Sequence, residues 1–212
     1  MYNIYVYVLD TMADWEPGHV TAELNSGRFF KKDAPGVTLK TAGRSMEPVR
    51  TMGGLTVTPD CLIDDIAVSD TTVLLLPGAN TWNDPENNAV IEKAGELLCA
   101  GAAVCAICGA TAALAGAGLL DSRPHTSNGP GFLEMLVPTY KGSGFYVDKP
   151  SVADGNLITA AGTGGLMWAR DIIERLGVFE SDTLSAWYDY YRTGEPGYFY
   201  ALMQTLPAGT ER

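Results

Sequence analysis

Three short apolar runs, each followed by a helical pattern, most constrain the fold of this chain. The runs cover residues 2–9, 72–76 and 102–107. Helical patterns follow them at residues 16–26, 85–100 and 109–117. Continuous apolar runs of this length are typical of strands covered on both faces of a parallel sheet. Strands that alternate with helices predict right-handed crossovers, and therefore an α/β fold with a mostly parallel sheet and helices on both faces.

The remaining elements complete this pattern. Asp14 is positioned to cap the first helix, and Asn83 or Asp84 the second, whose first residue is Pro85. The other predicted elements are strands at 37–42 and 55–58, a short helix at 131–136, a strand pair around 154–156 and helices at 164–176, 182–192 and 196–206. We expect one domain over residues 1–212, in which 179–206 form C-terminal helices.

Composition excludes several classes of partner. Fourteen basic residues against 25 acidic ones give a net charge of −11, which argues against a nucleic acid or an anionic membrane surface. Residues 97–120 carry no charge, but they are rich in Ala and Gly and divided by Gly101 and Gly109, so we expect no membrane span. Four cysteines without regular spacing indicate a reducing, cytoplasmic setting rather than a secreted disulfide framework.

Cys108 stands where the third apolar strand meets a helix. The sequence Ala106-Ile107-Cys108-Gly109 predicts a nucleophile elbow, in which small neighbours permit a tight turn. The helix N-terminus favours the thiolate and lowers the thiol pKa. Cys61 and Cys99 are expected to be buried and structural. Cys105 and Cys108 could form a reversible disulfide by distorting the strand end, and no set of ligands for a metal is expected.

Four features in order resemble the ThiJ/PfpI superfamily. They are a glutamate soon after the first strand, Pro77-Gly78 after the second, Cys108 with its neighbours, and the segment 117–121 (AGLLD). The resemblance implies the class I glutamine amidotransferase-like fold, a three-layer flavodoxin-like sandwich. It also implies that Cys108 is a nucleophile contacted by Glu16, and that the backbone amides of Ala79 and Gly109 form an oxyanion hole.

The resemblance implies further expectations and two departures. Gly162 and Thr163 are expected to border the cleft, with Gly78. Many members carry a histidine at the position of Asn128, and both Asn128 and His125 are possible pocket residues. His125 lies three residues earlier, and as a loop histidine it is expected to be solvated rather than to act as a base. The late His-x-Glu pair of glutamine amidotransferases is missing from 159–180. Without a base, neither glutaminase nor protease chemistry is expected.

Two functions stay open from the sequence. The first is a cytoplasmic cysteine-dependent enzyme, without a cofactor, that acts on a small electrophile such as an aldehyde or thioester in a hydrolase, hydratase or glyoxalase-like and deglycase-like reaction. The second is a non-enzymatic stress or redox sensor in which Cys108 is oxidised and held by Glu16. Because relatives are commonly dimers and 179–206 are rich in aromatic residues, a homodimer is expected.

Overall fold

A seven-stranded sheet lies at the centre of the computed structural model, which describes residues 1–206. Residues 207–212, the end of the predicted domain, lie outside the described residues. The strands of this sheet are β1 (Tyr2–Tyr7), β2 (Val37–Gly43), β5 (Cys61–Leu62), β6 (Thr72–Leu76), β7 (Ala103–Ile107), β8 (Ser151–Asp154) and β9 (Leu157–Ala160). Their order is β5-β2-β1-β6-β7-β9-β8, and every neighbouring pair is parallel except β8 and β9.

A second, two-stranded sheet pairs β3 (Val49–Arg50) with β4 (Thr56–Val57) in antiparallel fashion. The α-helices are α1 (Gly18–Ser26), α2 (Asn88–Cys99), α3 (Gly109–Gly116), α4 (Phe132–Leu136), α5 (Gly165–Leu176), α6 (Ser181–Thr193) and α7 (Pro196–Gln204). In residues 1–206, no helix is both long enough and apolar enough to cross a membrane.

Helices cover both faces of the large sheet. The steps from β1 to β2 and from β6 to β7 run in opposite directions along the sheet, so right-handed crossovers place α1 and α2 on opposite faces. Helix α5 packs on α1 and against β8 and β9, while α2 and α3 pack against β7. Helix α6 packs on α5, and α7 packs on α6. The predicted α/β sandwich is confirmed.

The central strands form the core. Every residue of β6, β7 and β9 is buried, as the apolar runs at 72–76 and 102–107 predict for the first two. Each fully buried Val, Leu or Ile side chain contributes about 1.5–3 kcal/mol relative to its exposed state. Because the side chains of these strands are buried, the reactive polar groups are confined to the loops at the strand ends. The sheet order reverses direction at β1 and β6, the point where open α/β sheets bind ligands outside the carboxyl ends of the strands.

Two predicted helix starts are wrong by a few residues. Helix α1 begins at Gly18 rather than at 16, and its N-cap is Pro17. The side chain of Asp14, expected to cap the helix, accepts a hydrogen bond from the Gly53 amide instead. The helix expected from residue 85 begins as a 3₁₀ helix, Pro85–Asn87, before α2 follows. The remaining predicted helices and strands lie within a few residues of their predicted positions.

Candidate active site

The backbone turns sharply at Cys108, between β7 and α3. Cys108 has φ 57° and ψ −124°, a region that residues other than glycine seldom adopt. Such a conformation costs about 1–3 kcal/mol and persists where the surroundings enforce it. Here the Cys108 amide donates to the Ala160 carbonyl at 2.9 Å, and the Thr111 hydroxyl donates to the Cys108 carbonyl at 2.6 Å. The predicted strand–turn–helix geometry is therefore present, with the sulfur atom in a partly exposed residue.

Glu16 lies in the turn before α1 and is completely buried. The backbone amide of Gly78 donates to its Oε2 at 2.5 Å. Its Oε1 has no hydrogen-bond partner by geometry within residues 1–206. A glutamate on the solvated face of a first helical turn would have neither property. The structure therefore excludes that alternative for Glu16.

Two glycines allow the carboxyl and the sulfur to approach each other. A Cβ atom at Gly78 would lie 2.7 Å from Glu16 Oε2 and 2.8 Å from Cys108 Cβ. A Cβ atom at Gly162 would lie 3.1 Å from Cys108 Sγ and 3.3 Å from Glu16 Oε1. Any larger residue at Gly78 would force these groups apart. The loops after β1, β6, β7 and β9 thus meet at one point.

Backbone donors lie beside the elbow. Within the part of the chain that the structure describes, the Ala79 amide donates to no acceptor. A Cβ atom at Gly109 would lie 3.7 Å from this Ala79 nitrogen, which shows how closely the two loops approach. The Trp82 indole donates to the Pro77 carbonyl at 2.8 Å and fixes the loop after β6. The structure therefore brings the backbone of Gly109 close to that of Ala79, the two residues whose amides the resemblance implies for an oxyanion hole.

Asn128 reaches the sulfur from the loop that precedes α4. Its Nδ2 donates to Cys108 Sγ at 3.4 Å, and its Oδ1 accepts from the Gly162 amide at 2.8 Å. The sequence placed Asn128 only among possible pocket residues. The adjacent Ser127 hydroxyl lies 2.6 Å from the Thr111 hydroxyl, which anchors this loop to α3. Thr111 was missed, although a threonine three residues after the elbow is placed to bond its carbonyl.

Both histidines lie outside these contacts. The expectation that His125 is solvated is wrong, since it is completely buried. Its Nδ1 lies 2.7 Å from the Arg123 carbonyl oxygen and its Nε2 lies 2.6 Å from the Tyr140 hydroxyl. His19 packs against the rings of Trp187 and Tyr191. Thr163, predicted to border the cleft, is exposed, and in the described residues its hydroxyl makes no hydrogen bond.

Burial dominates the acid–base properties of the pair. It raises the pKa of Glu16, against smaller lowering effects of the Gly78 amide and of Cys108. Burial also raises the pKa of the Cys108 thiol, and the Glu16 charge adds to this, while Asn128 and the Gly109 amide lower it. The lowered thiol pKa expected from the helix N-terminus alone is therefore wrong. Because both pKa values are raised, the two groups together keep at least one proton at neutral pH.

The other cysteines differ from Cys108 in exposure. Cys105 is completely buried within β7, which raises its pKa to about 12. Cys61 is partly exposed on β5, just before a 3₁₀ helix, and Cys99 is exposed at the end of α2. The expectation that Cys61 and Cys99 are buried is therefore wrong. Within residues 1–206, no three His, Cys, Asp or Glu side chains are grouped so that they could hold a metal ion.

Comparison with known proteins decides the family. Residues 2–175 match the DJ-1/PfpI family model. The chain belongs to the DJ-1/PfpI family. It is 43% identical over 204 residues to a Bacillus subtilis protein named "Uncharacterized protease YoaZ", an alignment that covers 96% of this chain and 97% of that protein. The resemblance to the ThiJ/PfpI superfamily is confirmed.

Solved structures of DJ-1/PfpI proteins share this fold. A thiJ/pfpI family protein from Bacillus anthracis is 42% identical in sequence and superposes with a TM-score of 0.94. The superposition covers 97% of this chain and 98% of that one. A DJ-1 superfamily protein from Agrobacterium tumefaciens is 30% identical, with a TM-score of 0.79 over 92% and 99% of the two chains. The first likeness extends past the residue at which the family model ends, and therefore takes in the C-terminal helices as well.

Proposed function

We propose that this DJ-1/PfpI protein is a cysteine-dependent enzyme that acts on a small electrophilic carbonyl compound. Cys108 is the nucleophile, Glu16 carries the proton, and the amides of Ala79 and Gly109 hold the developing oxyanion. The observation that carries the proposal is the burial of Glu16 against Cys108. One carboxyl oxygen accepts a hydrogen bond from the Gly78 amide, and within residues 1–206 the other has no partner besides the neighbouring thiol. Carboxyl and thiol groups that face each other and whose pKa values are both shifted by burial are characteristic of catalytic sites.

The shared proton defines the reactive state. When the proton lies on Glu16, Cys108 is a thiolate whose sulfur atom can attack a carbonyl carbon. The carbon–sulfur bond forms as the π electron pair of the carbonyl moves onto its oxygen. Two backbone N–H groups then stabilise that negative oxygen, an arrangement that typically contributes about 2.7–4 kcal/mol per donor. With an aldehyde this step gives a thiohemiacetal, from which further reaction or release must follow for turnover. A thioester expels its thiolate and leaves an acyl group on Cys108, which water then removes.

Peptide hydrolysis is not part of this proposal, although one relative carries "protease" in its name. A cysteine peptidase needs a base that takes up the thiol proton and an acid that protonates the departing amine. Both ring nitrogens of His125 are occupied by Arg123 and Tyr140, and His19 lies among the aromatic rings of α6. The absence of protease activity stays a prediction.

Turnover of small aldehydes and thioesters by wild type, Cys108→Ser and Cys99→Ser tests the proposal. Cys99→Ser is the matched control, since it removes an exposed thiol outside the site. We expect Cys108→Ser to lose all detectable turnover and Cys99→Ser to retain it. Turnover that survives in Cys108→Ser would overturn the proposal.

The sensor function has one favourable observation. The donors that face the sulfur, Asn128 Nδ2 and the Gly109 amide, could also bind the oxygen atoms of a cysteine sulfinate. The sensor function would be favoured if the wild-type protein turned over no substrate but Cys108 gained two oxygen atoms in dilute peroxide.

Family members are commonly dimeric, and a homodimer of this chain stays a prediction. Light scattering tests it by comparing the mass in solution with the monomer mass of 22.6 kDa.

A further inference from the structure

The amide of Asn128 is fixed in one orientation. The Gly162 N–H can only donate, so the side-chain atom it meets at 2.8 Å is the amide oxygen. The other end of the amide, Nδ2, therefore faces Cys108 Sγ and donates to it at 3.4 Å. Backbone and hydroxyl contacts of the two preceding residues hold the loop, since the Thr126 amide donates to Thr159 and the Ser127 hydroxyl bonds Thr111. The donor is thus positioned before any substrate binds.

Asn128 and Glu16 face the sulfur from different environments. Glu16 is completely buried, whereas Asn128 is exposed. Among the described residues, Glu16 is the titratable side chain that faces the sulfur, while the other contacts come from an amide side chain and a backbone N–H. A substrate that enters from solvent therefore meets Asn128, which donates a hydrogen bond but neither takes up nor releases a proton at neutral pH.

We propose that Asn128 is a catalytic residue that stabilises the Cys108 thiolate by hydrogen bonding, and that its presence in place of a base directs the site to acyl groups on leaving groups that depart unprotonated, such as thioesters. This rests on the proposed function of Cys108. A thiolate leaving group carries its own electron pair away and takes its proton from solvent. An amine leaving group requires an acid beside it, and the exposed side of the sulfur offers none.

The acylation step is balanced with these groups alone. The Cys108 sulfur forms a bond to the acyl carbon, and the carbonyl π pair moves to the oxygen. When that pair returns, the bond to the leaving sulfur breaks, and the leaving group departs as a thiolate. The proton lies on Glu16 when the thiolate attacks, and it stays there after the step because an acylated sulfur does not take it back.

Asn128→Asp is the sharpest variant for this role. Asp keeps the shape and the acceptor for the Gly162 amide, but it replaces the donor that faces the sulfur by a negatively charged oxygen. Asn128→Ala removes donor and acceptor together. A hydrogen bond to a charged group is stronger than one between neutral groups, so we expect the thiol pKa to rise by about one unit or more in Asn128→Ala. It should rise further in Asn128→Asp, which adds a like charge.

The pH dependence of Cys108 alkylation by iodoacetamide, followed by peptide mass spectrometry, measures this pKa. A Cys99→Ser background removes the exposed competing thiol. Ser127→Ala is the matched control, since it loosens the same loop through Thr111 but removes no donor from the sulfur. We expect an unchanged thiol pKa in Ser127→Ala. The same thiol pKa in wild type, Asn128→Asp and Asn128→Ala would overturn the role of Asn128.

Acylation by a small acetyl thioester and by the matching acetyl amide tests the substrate class. Intact-mass measurement should show an acetyl group on wild type with the thioester and none with the amide. The rate with the thioester should fall at neutral pH in Asn128→Asp. Acylation or turnover of the amide would overturn the leaving-group argument. Because alkylation requires no turnover, failure for Asn128 is distinguishable from failure of the enzyme proposal, which Cys108→Ser decides.

Discussion

Two buried glutamates, one just before α1 and one within it, are treated very differently by this fold. Glu23 is 1% exposed and receives hydrogen bonds from the Arg28 guanidinium and from the Trp187 indole at 2.9 Å. Glu16 is 0% exposed, and among residues 1–206 it receives one backbone hydrogen bond and has no cation beside it. The carboxylate of Glu23 is thus compensated by an opposite charge, and the proximity of Glu23 raises the pKa of Arg28.

The difference separates a structural carboxylate from a reactive one. A buried charge is tolerated where it is paired and hydrogen-bonded, as Glu23 is. Glu16 lacks this compensation, so its proton is bound more tightly and remains available to the neighbouring sulfur. Burial alone therefore says little about role. The number and charge of the donors around each carboxyl distinguish the two.

Substitution of Glu16 should have the largest effect, and it should act on chemistry. Glu16→Gln keeps an acceptor for Gly78 and a donor toward the sulfur but transfers no proton, whereas Glu16→Ala removes all three functions. We expect turnover to fall by about 1000-fold in both, within the range of general acid–base catalysis. Because the Glu16 charge raises the pKa of the Cys108 thiol, this pKa should be highest in wild type and lower in both Glu16→Gln and Glu16→Ala.

Steady-state turnover and the pH profile of alkylation measure these effects, with Glu23→Gln as the matched control at the other glutamate. Equal thiol pKa values in wild type and both Glu16 variants would show that the buried carboxyl does not act on Cys108. If Glu23→Gln lost turnover while its stability stayed unchanged, Glu23 would also act in catalysis, and the distinction between a reactive Glu16 and a structural Glu23 would be wrong.

Substitution of Glu23 should act on stability. Glu23→Ala leaves the fully buried Trp187 indole without its acceptor and Arg28 without its counter-ion, so we expect the free energy of unfolding to fall by about 2 kcal/mol. Glu23→Gln keeps an acceptor and should lose less. Glu16→Gln should change stability little at neutral pH. Urea unfolding followed by tryptophan fluorescence measures this, and equal stability of Glu23→Ala and wild type would contradict it.

The pH dependence of stability should show the smallest effect. The folded-state pKa of Glu16 is raised above its unfolded value of 4.5, so the folded protein binds this proton more tightly. The resulting contribution to stability is present below the unfolded pKa and is lost as pH rises through the folded pKa. The difference in unfolding free energy between wild type and Glu16→Gln should therefore fall above about pH 4.5, by about 1.4 kcal/mol per unit of pKa difference. Parallel stability curves from about pH 4 to pH 8 would contradict this.

The strands were predictable because their signal is local. The apolar runs of β1, β6 and β7 are continuous, and the small residues around Cys108 mark the turn that follows β7. The start of α1 was not predictable in this way. Glu16 leaves the helical path because its carboxyl bonds the Gly78 amide, 62 residues away in sequence.

The roles of His125 and Asn128 depend on partners that are distant in sequence. A histidine between Pro124 and Thr126 looks solvated, yet the Tyr140 hydroxyl and ring enclose it. Asn128 meets Cys108 and Gly162, which are 20 and 34 residues away. The family resemblance drew attention to position 128, where many members carry a histidine. The role of the Asn128 amide, however, follows only from its contacts with Cys108 and Gly162 in the structure.

The free Ala79 amide has a consequence for how this site can diversify. A side-chain donor is lost by a single substitution, whereas the main-chain N–H at position 79 survives a change to any residue except proline, which has no N–H. Insertions or deletions in the loop after β6 would therefore abolish the oxyanion donor more readily than point substitutions there. The Asn128 donor is a side chain, so one substitution there would change the group that faces the sulfur while the main-chain donor at position 79 stays in place.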